Sequence, residues 1–145
     1  MNETVTKRFL LYFRLMLLVW ILIANAVIHL TGMEYGWLIF LSNIMMFTLE
    51  GDVKDRLVTV ELGGLVGLVL TVAALLSISA LTPVLGDFLG FILPLAVVLF
   101  ILIILHPYAP KVLNNVGFAY LTVACIDAET FAANLPLFFA TYILG

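Results

Sequence analysis

The chain has 145 residues, of which 65% are hydrophobic and 10% charged, with a mean hydropathy of +1.26. A water-soluble domain carries about a quarter charged residues, so this composition cannot cover a water-facing surface and implies lipid as the solvent for most of the exterior. The net charge of -3 excludes the basic footprint that nucleic acid requires, and the single cysteine, Cys125, excludes an intrachain disulfide or a cysteine metal cluster.

The first apolar run, 9–30, is long enough to cross a bilayer. Arg14 interrupts it, which argues against reading Ala24-Asn25-Ala26 as a leader-cleavage site. A second and shorter run, 36–49, opens on Gly36-Trp37 and closes on the charged hairpin Glu50 to Arg56. The third, 57–81, carries Gly63, Gly64 and Gly67, and is separated by Thr82, Pro83 and Gly86 from the fourth, 88–105. His106, Pro107 and Pro110 end that segment. The fifth, 113–126, is again short, and Asp127 marks the turn into the sixth, 130–144. Pro94 and Pro136 fall inside apolar segments, where a kink is expected. The fold expected is an all-α membrane protein, a single domain over 1–145 with six transmembrane helices.

All six Lys and Arg residues fall at the N-terminal side or in the second and fourth connections. Six spans put all of them on one face of the membrane, which the positive-inside rule makes cytoplasmic, with both termini there. A bacterial inner membrane is the expected location.

The order long–short–long occurs twice, over about 9–81 and 85–145. A three-helix unit repeated once must point the opposite way the second time, which is the inverted-repeat plan of many transporters. Gly36-Trp37-Leu38-Ile39-Phe40 and Gly117-Phe118-Ala119-Tyr120-Leu121 stand at matching places in the two halves. Short segments at corresponding positions point to a central site, here the second and fifth.

Polar groups inside a bilayer are costly and seldom idle. At about 100° per residue, Arg14, Asn25 and His29 share one side of the first helix. Gly36, Asn43 and Glu50 recur at a spacing of seven, as do Asn115, Thr122 and Glu129. Arg14, Asn43, Glu50, Asn115, Thr122 and Glu129 are therefore the candidate substrate-binding residues, with Arg14, Asn43 and Thr122 expected on one cavity between the halves. The bland readings are that Arg14 snorkels, that Asn43 and Thr122 bond a neighbouring helix, and that the glutamates are solvated loop charges. Gly63 and Gly67 form a small-x-x-x-small pair suited to close helix packing or a dimer contact. His29 and Glu34 are too few to hold a metal, and no catalytic triad, P-loop or dinucleotide fingerprint is present. Neither a cofactor nor an enzymatic activity is expected.

Tyr35-Gly36-Trp37 through Glu50, then Arg56-Leu57-Val58-Thr59 and the three glycines, resemble the membrane domain of the fusaric acid resistance and aromatic acid exporter families. Asn115 to Thr122 is similar to their fifth-helix motif, and Leu135-Pro136 to a step in the last helix of small stand-alone bacterial inner-membrane members. The resemblance covers about 35–145. It implies a dimeric transporter or channel for a small organic anion, with Arg56, Gly63 and Gly67 at matching positions. The alternative reading is a non-transporting structural or assembly protein of the membrane.

Overall fold

The computed structural model describes residues 3–32 and 35–144. They form six α-helices and no strand: α1 (Glu3–Thr31), α2 (Gly36–Thr48), α3 (Val53–Ile104), α4 (Asn115–Ile126), α5 (Ala128–Ala133) and α6 (Leu135–Leu144). A single 3-10 turn, His106–Tyr108, links α3 to α4.

Among the described residues, two helices are long and apolar enough to cross a membrane, α1 over Thr6–Thr31 and α3 over Val53–Ile104. Few of the polar side chains within them reach outward for partners. The Asn25 amide donates to the Ile21 carbonyl at 2.8 Å and the Thr71 hydroxyl to the Gly67 carbonyl at 2.8 Å, so each is satisfied by its own helix.

The 52 residues of α3 do not form one rod. Gly86 has φ 83° and ψ 167°, a region open in practice only to glycine, and it reverses the chain there. Thr82 and Gly90, equidistant from Gly86, pack so closely that a Cβ at Gly90 would stand 2.5 Å from the Thr82 Cα. Farther out, Ala74 packs with Val98, again at equal steps from the turn. The third and fourth expected segments are thus the two limbs of a hairpin, 53–85 and 87–104. Pro83 lies within the first limb rather than ending it. At 1.5 Å per residue the limbs measure about 50 Å and about 27 Å against a hydrocarbon core of about 30 Å.

The remaining segments are shorter than a span. α2 has 13 residues and α4 has 12. The expected sixth helix over 130–144 is broken at Asn134, whose N–H caps α5 on the Thr130 and Phe131 carbonyls. Pro136 sits in the first turn of α6, where a missing N–H costs no helical bond.

α4 lies across the α3 hairpin. Its contact with the first limb is backbone on backbone, since a Cβ at Gly67 would stand 2.7 Å from the Gly117 Cα. Asn114 caps α4, accepting from the Val116 N–H at 3.0 Å and the Gly117 N–H at 3.3 Å. It also donates to Pro110 at 3.0 Å and Thr59 at 3.4 Å, which ties the cap to the first limb. One core cluster joins α2, the first limb, α4, α5 and α6 through Leu38, Val60, Tyr120, Phe131, Phe138 and Tyr142. α1 packs chiefly on α2 and keeps most of its Leu, Ile and Val side chains exposed.

Candidate functional site

A cavity of about 330 Å³ opens between α1, α2 and the first limb of α3. Its polar wall comes from Ser42, Asn43 and Glu61, and its apolar wall includes Phe13, Met16, Trp20, Met46 and Leu57. Asn43 is only 5% exposed. It donates to the Ile39 carbonyl at 2.8 Å, as the Ser42 hydroxyl does at 2.9 Å. That commits one of the two Asn43 N–H groups and leaves the other hydrogen-bonding capacity of the amide at the cavity wall. Among the described residues, Glu61, half-buried, is the one charged side chain on that wall.

Two buried tyrosines tie α4 and α6 to α2 and the first limb of α3. The Tyr120 hydroxyl donates to the Leu38 carbonyl at 2.7 Å, and the Tyr142 hydroxyl to the Glu61 carbonyl at 2.6 Å and the Val60 carbonyl at 3.1 Å. Their rings meet edge-on at 5.2 Å and 86°, a favoured aromatic geometry. Gly64 makes room for them, because a Cβ there would stand 2.9 Å from the Tyr120 ring. A second cavity of about 400 Å³ is lined by Tyr35, Trp37, Ala124, Asp127, Thr130 and Phe138 among others. Ala124 is one turn beyond Tyr120 on α4, and Phe138 is one turn before Tyr142 on α6. Each tyrosine thus stands one helical turn from the lining of the second cavity, and Tyr142 bonds the backbone of Val60 and Glu61 in the wall of the first.

Basic side chains gather beyond the first cavity. The Arg14 guanidinium lies over the Phe47 ring and that of Arg56 over the Phe13 ring, each 5.7 Å from the centroid. Arg56 also donates to the Gly51 carbonyl at 2.8 Å and to the Met46 carbonyl in the last turn of α2 at 3.4 Å, acting as a C-terminal cap. Lys111 pairs with Asp55 at 2.9 Å, joining the second and fourth connections.

The structure separates residues that were expected to share one cavity. Asn43 lines the first cavity, but Arg14 is exposed beside Phe47, and Thr122 is exposed with its hydroxyl turned back to the Phe118 carbonyl at 2.8 Å. Both heptad triplets are interrupted. α2 ends at Thr48, so Glu50 lies off its face, and the break at Asp127 stands between Thr122 and Glu129. Glu50 and Glu129 are exposed. Asn115 is exposed as well, while its neighbour Asn114 is buried and makes the cap. Gly63 and Gly67 meet Asn114 and Gly117 of the same chain, so the pair is an internal packing contact and not a free dimer surface. The first cavity sits within the first half of the chain instead of between the halves. Glu34 lies outside the described residues.

Glu61, Tyr120 and Tyr142 are the site residues that sequence reasoning missed. Glu61 had a signal, since it is the one ionisable residue inside the apolar stretch 57–81. The tyrosines had none, because their partners are backbone carbonyls about 80 positions away. Comparison with known protein families, curated proteins and solved structures finds no match.

Proposed function

We propose that the chain is an integral membrane permease, a carrier or channel, for a small organic solute. The solute enters the Glu61 cavity, passes the Tyr120–Tyr142 pair and leaves by the second cavity. The observation that carries this reading is a carboxylate, an amide and a hydroxyl gathered at one cavity, the carboxylate on a helix of membrane-spanning character and the other two on the shorter α2. Intramembrane ionisable groups mark solute and ion pathways by default. The resemblance to the fusaric acid resistance and aromatic acid exporter membrane domain points the same way. The organic anion it implies finds no positive charge in the first cavity, whose lining holds Glu61 and not Arg14.

Six membrane passages remain part of the proposal, with α2, α4 and the α5–α6 pair as short crossings in a locally thinned bilayer. The pairing of Lys111 with Asp55, and of Arg14 and Arg56 with aromatic rings beside the cavity, supports one basic face, proposed as the cytoplasmic face of a bacterial inner membrane. The inverted repeat draws support from two hydrogen bonds. Tyr120 to Leu38 and Tyr142 to Val60 each join positions 82 apart, on consecutive helices of the two halves. A homodimer would use the exposed apolar side of α1 and not the glycine pair. That exposed side also favours a second reading, in which α1 docks on another membrane protein and the chain assists its assembly.

Uptake into proteoliposomes separates the two readings. Neutral, anionic and cationic organic solutes are offered to wild type and to Asn43→Leu. Saturable uptake by wild type and its loss in the inserted variant are expected. No uptake of any solute, or equal uptake by both proteins, would favour the assembly reading.

A further inference from the structure

The wall of the first cavity has a chemistry that selects among solutes. Glu61 supplies its one charge, and that charge is negative. Trp20 offers an aromatic ring 45% exposed, and Met16 and Met46 add soft, adaptable thioethers. Ser42 and Asn43 provide hydrogen-bonding groups to the same cavity as Glu61. The Glu61 backbone is pinned by the Tyr142 hydroxyl at 2.6 Å, which holds its position on α3. Both nearby arginines are committed elsewhere. Arg56 is bonded to Gly51 and lies over Phe13, and Arg14 lies over Phe47.

We propose that this cavity binds a small apolar organic cation, its charge on the Glu61 carboxylate and its hydrocarbon part against Trp20, Met16 and Met46. A carboxylate facing an apolar cavity loses hydration and is best compensated by an opposite charge brought in with the ligand. An indole face attracts the same cation through its quadrupole, and thioethers fill the irregular space around alkyl or aryl groups. An organic anion meets like charge at Glu61, and a neutral solute leaves the carboxylate uncompensated. The proposal rests on the permease reading for the direction of passage but not for the binding itself.

Titration of the purified full chain in detergent with benzyltrimethylammonium, followed by calorimetry, tests this. Benzyl alcohol and benzoate serve as neutral and anionic counterparts of the same size. Saturable binding of the cation at least tenfold tighter than that of either counterpart is expected. Glu61→Gln, which keeps size and removes charge, should weaken cation binding at least tenfold. Trp20→Ala, at an exposed position on α1, should weaken it about fivefold and serves as the second variant if Glu61→Gln fails to fold. Equal affinity in the folded variants, or benzoate binding as tightly as the cation, would overturn the proposal. Cation binding without uptake of any solute would leave this site standing and remove the permease. Uptake of an anion or a neutral solute without cation binding would do the reverse.

Discussion

Tyr120 and Tyr142 commit their hydroxyls to backbone carbonyls that already accept within a helix, so each bond is an addition and not a replacement. A net contribution of about 1 kcal/mol is usual for such a bond. Tyr120→Phe should therefore lower stability by about 1 kcal/mol while leaving the ring in the edge-on pair, as measured by detergent-compatible denaturant unfolding. A loss above about 3 kcal/mol would mean that the hydroxyl holds the fold and not merely the barrier. Asn114 is a stronger case, because its side chain caps α4 and bonds Pro110 and Thr59 together. Loss of a cap alone costs about 1 kcal/mol. Asn114→Ala should exceed that, since Thr59 and Pro110 lose a donor as well. Asn114 and Asn115 are adjacent and chemically identical, and the spacing of seven singles out Asn115, whereas the cap is made by Asn114. Heptad counting assumes an unbroken helix, whereas α4 begins at Asn115 with Asn114 as its cap. Glu61 was open to reading, as a lone charge in an apolar stretch, yet attention to matching positions in two halves passed over it.

The positions of the helices follow the apolar runs closely, because a continuous apolar run is itself a property of composition that favours removal of that length from water. Their ends do not, because ends depend on local chemistry. The sequence places a break at Pro83, but that proline stands within the first limb and the reversal comes at Gly86, the residue that adopts φ 83°. The last segment breaks at Asn134 for a similar reason, with Pro136 starting the next helix. Two substitutions distinguish the roles of glycine. Gly86→Ala forces a side chain into a glycine-only conformation and should cost about 1–3 kcal/mol by opening the hairpin turn. Gly67→Leu inserts a side chain where a Cβ already falls 2.7 Å from the Gly117 Cα, so α4 must move off the first limb. The expected outcome is loss of the folded species on gel filtration for Gly67→Leu, and a folded but less heat-stable protein for Gly86→Ala. Folded Gly67→Leu with unchanged stability would contradict the crossing.

For the whole molecule, the proposed topology puts residues 7, 14, 54, 56 and 111 on one face and Asp127 on the other. Reporter fusions at residues 2 and 145 should both read cytoplasmic, and a periplasmic signal at either end would contradict that arrangement. The central claim is that two cavities face opposite sides of a membrane and are divided by Tyr120 and Tyr142. The most direct measurement is labelling of single cysteines by a membrane-impermeant maleimide in vesicles of known orientation, with Cys125 first replaced by alanine. The probes are Ser42→Cys in the first cavity and Val123→Cys in the second. The account predicts that Ser42→Cys reacts only from the face carrying the arginines and Val123→Cys only from the opposite face. Reaction of both from the same face would contradict it.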